Sequence, residues 1–133
     1  MGIIPRVQHV THRIGRHLES VLAAVGVDQA EAHVLSALDG GPMSIAALVE
    51  AIAVKRSTLT NILDRLERRG LVRREINPHD RRSFVVRPTR GGERAARKIA
   101  ATFSAVDAKL ERTTTAEERQ GFHTVLARLE EIL

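Results

Sequence analysis

Between Lys55 and Thr89 the spacing of apolar residues changes abruptly, and few folds accommodate that change. From Lys55 to Arg69, Leu59, Ile62, Leu63 and Leu66 recur three and four apart, which predicts an amphipathic helix. Gly70 supplies its stop. Leu71–Glu75 and Ser83–Arg87 then alternate as half-buried strands do. Between them lie Asn77-Pro78, a turn dipeptide, and the charged stretch Asp80-Arg81-Arg82. The far face of the helix offers Ser57, Thr60, Asn61, Asp64, Arg65 and Arg68. The pattern is that of a polar-faced helix followed at once by a two-stranded wing.

Upstream segments complete a motif. A first helix is predicted over Arg6 to Ala24, with Val7, Val10, Ile14, Leu18 and Val21 in register and Gly26 as its stop. A second begins at Asp28, whose spacing to Glu31 is that of a capping box. It turns Val34, Leu35 and Leu38 inward and ends at Asp39-Gly40-Gly41-Pro42. Ser44 caps a third helix with Ile45, Leu48, Val49 and Ile52 on one face. That helix and the next are short and joined by a brief break near Val54, which is helix-turn-helix geometry.

Charge is concentrated on the same stretch. Residues 55–90 hold eleven Lys/Arg against four Asp/Glu, a local +7 in a chain whose total is +5. A positive stripe confined to one motif is the electrostatic footprint of a nucleic-acid binder. Cysteine is absent, which excludes disulfides and thiolate metal sites within this chain. No nucleophile–base pair, Gly-rich phosphate loop or metal-spaced cluster is found, and Gly91-Gly92 reads as a helix start, so no enzyme is expected and no cofactor or metal. The N-terminal residues lack the features of a signal peptide, and no apolar run approaches the ~18–20 residues of a membrane span. The expectation is a cytoplasmic protein without membrane contact.

Downstream, Thr89 caps a long helix to about Arg112, in which Ile99, Phe103, Val106 and Leu110 repeat four, three and four apart. Such a seam serves either an intramolecular core or a dimer contact. Thr113-Thr114-Thr115 breaks it, Thr115 and Glu118 have capping-box spacing, and a last helix carries Phe122, Val125, Leu126, Leu129 and Ile132. Aromatic residues make up only 2% of the 133 residues, so the core is thin and a partner subunit would supply the missing burial. The expected fold is mainly α with a small antiparallel β-wing: a winged helix-turn-helix with N- and C-terminal dimerisation helices. Residues 1–133 form one domain in this reading, with 28–89 the winged region and 1–25 and 90–133 the helical dimerisation region. The contact residues expected of the dimer are Val7, Val10, Ile14, Phe103, Val106, Leu110, Phe122, Leu126 and Leu129.

These residues resemble the MarR-type winged helix-turn-helix transcriptional regulators. The matching pieces are Ala47-Leu48, Ser57-Thr58-Leu59-Thr60, the run from Asp64 to Arg73, Asp80-Arg81-Arg82 in the wing and Thr89-Arg90-Gly91-Gly92. The resemblance implies a homodimer on a pseudo-palindromic double-stranded DNA operator, usually a repressor, relieved by a small and often anionic aromatic effector. Asn61 stands where a basic residue is common, and an amide suits adenine. Pro88 stands where Leu is usual and should end the second strand, since it donates no ladder hydrogen bond. The stretch ahead of the first helix is short for the family.

The residues expected to meet DNA are Lys55, Arg56, Ser57, Thr58, Thr60, Asn61, Arg65, Arg68, Arg81 and Arg82. Short polar side chains near a helix N-terminus let backbone approach base edges, and the Lys and Arg set phosphate affinity. Arg82 is the candidate for the minor groove, with Asp80 supporting the wing by a salt bridge. For an effector, the candidates are His9, Arg13 and Arg16 on the first helix, together with Thr60 and Arg74, which match positions the family uses for phenolic acids. His9, His12, His17 and His33 read equally well as surface histidines. The alternative function is constitutive or nucleoid-associated DNA binding with no effector.

Overall fold

The computed structural model describes residues 2–133. Its helices are α1 (Ile3–Val25), α2 (Gln29–Ala37), α3 (Ile45–Ile52), α4 (Arg56–Arg68), α5 (Arg90–Thr113) and α6 (Ala116–Ile132). Its strands are β1 (Met43–Ser44), β2 (Val72–Asn77) and β3 (Asp80–Pro88), in one antiparallel sheet ordered β1-β3-β2. The chain forms two compact units, one running to Ala100 and the other Ala101–Leu133.

In the first unit, local chemistry sets each boundary. Gly26 ends α1 in the left-handed region at φ 77°, which only glycine adopts without strain. Asp28 accepts the Glu31 N–H at 2.8 Å while Glu31 accepts the Asp28 N–H at 3.1 Å, closing the expected capping box. Ser44 Oγ accepts the Ala47 N–H at 3.1 Å and starts α3. Thr89 does two things at once: its hydroxyl donates to the Gly70 carbonyl at 2.6 Å and accepts the Gly92 N–H at 3.1 Å. The end of α4 and the start of α5 are thereby tied to each other.

The core is aliphatic. Leu35, Leu38, Leu48, Leu59, Leu63, Leu66, Val72, Val86 and Ile99 are among its fully buried side chains. Burying one Leu or Ile side chain contributes about 1.5–3 kcal/mol, so these positions hold the three-helix motif against the sheet. Among the described residues Glu31 is the one charged residue buried with this core, 3% exposed, and it pairs with Arg69, which also donates to the Gly26 carbonyl. This contact fastens the C-terminal end of α4 to the N-terminal end of α2.

The structure departs from the expected elements in three places. Helix α1 begins at Ile3 rather than Arg6, because Pro5 falls in the first turn, where its missing N–H breaks no intrahelical bond. Strand β1 was not expected at all; two residues, Met43 opposite Val86 and Ser44 opposite Val85, are too few to show a period. The wing strands are longer than expected, and Asp80-Arg81-Arg82, read as part of the turn, opens β3 instead. A register irregularity at Ile76/Asn77 lets Asn77 pair with Asp80, so only Pro78 and His79 remain as the turn. At the other end β3 stops at Pro88, as its missing donor requires.

The second unit contains the end of α5 and all of α6. Thr115 and Glu118 form a reciprocal capping box, with bonds of 3.1 and 3.0 Å. Arg119 donates to the Thr114 carbonyl at 2.8 Å and braces the turn between the helices. None of residues 101–133 is buried.

Candidate nucleic-acid interface

Helix α4 turns Leu59, Ile62, Leu63 and Leu66 into the core, which leaves its other face to solvent. Lys55, Arg56, Ser57, Thr58, Thr60 and Asn61 are all exposed on its first two turns. No side chain caps this helix, and its first turn contains no acid. Cations at the positive end of a helix dipole are unfavourable without an anion nearby. Uncapped N–H groups and cations at one helix start form a ready phosphate cradle. The Thr60 hydroxyl donates to the Arg56 carbonyl at 3.0 Å.

The register of the wing shows what faces α4. Val72, Arg74 and Ile76 share one face of the ribbon with Pro88, Val86 and Phe84 opposite them. Val72 and Val86 are buried at its base. Arg74 reaches α4 and makes 2.7 Å contacts to both Glu67 and Asp64. The hydrogen bond to Glu67, and after it the one to Asp64, hold the Arg74 guanidinium above its ordinary pKa against the opposing effect of burial. Beyond this clamp, Ile76 and Phe84 form an exposed apolar pair, 61% and 48% accessible. Arg81 and Arg82 follow at the tip, both exposed.

Several expected roles change in this geometry. Asp80 supports the wing, but not through a salt bridge: its carboxylate accepts the Arg82 backbone N–H at 3.1 Å, because the strand places that N–H two residues away. Arg65 lies 3.5 Å from Asp28 and braces α2. Arg68 donates to the Asp64 carbonyl at 3.3 Å. Arg74 is held by two carboxylates, so it is not a free anion receptor. His9, Arg13 and Arg16 line a shallow depression on α1 with Gln8 and His12, a surface that includes neither Thr60 nor Arg74. The five effector candidates therefore do not form one site within this chain. Among the described residues Lys55, Arg56, Arg81 and Arg82 have no carboxylate partner. Sequence reasoning missed the Ile76–Phe84 pair because the strands were drawn too short to place the two opposite each other. Alternation carried on to Asn77 would have found it.

The MarR family matches residues 25–83, from the stop of α1 into the wing. The fold is a winged helix-turn-helix, and this region of it is similar to the MarR family. The transcriptional regulator HosA of Escherichia coli O111:H- is 34% identical over 83 residues, 62% of this chain and 62% of HosA. The chain thus aligns with less than two thirds of that relative's length. Among solved structures, a mutant MarR from E. coli complexed with operator DNA has a TM-score of 0.74 at 25% identity, covering 95% of this chain and 92% of that one. NadR in complex with 4-hydroxyphenylacetate has a TM-score of 0.86 at 22% identity, covering 100% and 95%. The MarR-type fold fits the element order and the placement of β1 beside the wing. No single helix is long and apolar enough to cross a membrane.

Proposed function

We propose that the protein is a homodimeric, sequence-specific DNA-binding transcriptional regulator, a repressor released by a small anionic or aromatic effector. The observation that carries this reading is the pairing pattern of its cations. Arg65, Arg69, Arg74 and Arg87 are tied to carboxylates within the fold, whereas among the described residues Lys55, Arg56 and Arg68 of the α4 region and Arg81 and Arg82 of the wing tip are not. Lys55 and Arg56 meet phosphates at the edge of the major groove. Ser57, Thr58, Thr60 and Asn61 reach base edges, with Asn61 suited to adenine N6 and N7. Arg82 enters the minor groove beside the wing, where the potential is most negative.

The dimer follows from what is left uncovered. Val10 is 46% exposed, Ile14 44%, Leu110 51% and Phe122 58%, and α6 has no buried residue. Val7, Phe103, Val106, Leu126 and Leu129 add to these faces, and a second copy covers them by twofold symmetry. Two α4 helices then meet half-sites one DNA turn apart, ~34–36 Å. The mutant MarR with operator DNA and NadR with 4-hydroxyphenylacetate support DNA and an effector as partners. An effector can release DNA only by binding better to a dimer whose recognition helices are wrongly spaced.

The test is a gel-shift and footprint on the DNA just upstream of the protein's own coding region, followed by the Thr60→Ala and Asn61→Ala variants. A protected, roughly twofold site that both variants bind with reduced discrimination against random DNA supports the proposal. Equal, steeply salt-dependent binding to all DNA by the wild type refutes the sequence-specific reading.

A further inference from the structure

At the root of the wing, away from the polar face of α4, lies a cleft of about 360 Å³. Arg73 of β2, Arg87 of β3 and Arg90 and Arg97 of α5 line it, together with two acids, Asp39 and Glu93. The lining carries a net charge of +2. Its floor is apolar: Leu38 and Ala96, which also line it, are 1% and 3% exposed. Arg73 and Arg87 share one carboxylate, Glu75, at 3.9 and 3.3 Å. Among the described residues Arg90 and Arg97 have no carboxylate partner. Arg90 opens a 24-residue helix, where the dipole repels cations, and Arg97 lies about two turns further along it. None of the effector candidates His9, Arg13, Arg16, Thr60 and Arg74 lines this cleft.

Four guanidinium groups on an apolar floor, two of them sharing one carboxylate and two with none among the described residues, call for an outside anion. We propose that the cleft binds a small phosphate monoester with an apolar body. A monoester carries about −1.5 to −2 at neutral pH, opposite in sign to the lining, and guanidinium groups bind its oxygens in bidentate pairs. The volume is at the lower end of small-molecule sites, about 300–1,000 Å³. Because the lining draws on both wing strands, the turn ahead of β1 and the start of α5, an occupant ties these four segments together and sets the angle of the wing. This site does not depend on DNA binding.

The test uses the full chain and two probes, phenyl phosphate and inorganic phosphate, in calorimetry at physiological ionic strength. The expected result is saturable binding of one phenyl phosphate per protomer, tighter than inorganic phosphate. In the Arg90→Ala/Arg97→Ala variant it weakens by about tenfold or more, as loss of charge-assisted bonds implies. Lys55→Ala/Arg56→Ala leaves it unchanged, and far-UV circular dichroism shows that both variants are folded. The proposal is overturned if the wild type shows no saturable binding or if the Arg90/Arg97 variant binds as the wild type does. It is also overturned if that variant loses affinity for duplex DNA while neither probe binds the wild type, since the cleft would then be a DNA backbone contact.

Discussion

A methyl group added at Gly92 tests how the wing is joined to α5. A Cβ built there lies 2.0 Å from the Leu71 carbonyl oxygen and 3.1 Å from its carbon. That oxygen accepts the Thr89 N–H at 3.0 Å, and the Leu71 N–H donates to the Leu66 carbonyl at 2.9 Å. The backbone between α4 and β2 must therefore move by about 1 Å, at about 1–3 kcal/mol for overpacking. Weakening one backbone hydrogen bond adds about 0.5–1.5 kcal/mol. Alanine's higher helix propensity offsets up to about 1 kcal/mol. The net expectation for Gly92→Ala is a loss of about 1–3 kcal/mol, or about 3–15 °C in Tm at fixed protein concentration. Gly91→Ala is the control, since its Cβ finds Leu71 Cδ2 at an ordinary 3.6 Å. Thermal melts followed by circular dichroism should show Gly91→Ala at or above wild type and Gly92→Ala clearly below. Equal melting of the two variants would refute the close approach.

Other substitutions separate stability from binding. Ala53 sits at φ 53° between α3 and α4, so Ala53→Gly should stabilise by about 0.5–1 kcal/mol in chemical denaturation. Arg74→Ala should destabilise by about 1–2 kcal/mol, after allowance for partial exposure, because it leaves Asp64 and Glu67 facing each other; Arg74→Lys should restore only part. Arg82→Ala should weaken duplex binding about tenfold in fluorescence anisotropy without changing the oligomeric state measured by sedimentation. Asn61→Ala should narrow the difference between operator and random DNA by about 1–3 kcal/mol, with little change in the affinity for random DNA.

Much of the fold was legible because its determinants are local. The Asp28–Glu31 and Thr115–Glu118 boxes, the Ser44 cap and the Gly26 stop are each written within four residues, and each stands where expected. The inward stripe of α4 was equally plain. What escaped were features set by distant partners. Strand β1 exists only because Val85 and Val86 pair with it, and the wing's true length depends on cross-strand register. A list of basic residues also cannot show which cations are already spoken for. Arg65, Arg69 and Arg74 look equivalent to Arg56 in sequence, yet each meets an acid brought close by folding. The salt bridge expected of Asp80 failed for a related reason: the nearest strong donor is a backbone N–H, already in place.

The most direct measurement of the DNA-binding reading is the salt dependence of duplex affinity, wild type against a variant with Lys55, Arg56, Arg81 and Arg82 all changed to Ala. Each phosphate contact contributes about −0.9 to the slope of log K against log salt. The slope should therefore flatten by about 3–4 per protomer, with the fold and the oligomeric state retained. An unchanged slope would mean that these four cations do not meet phosphate and that the polar face of α4 is not where DNA lies.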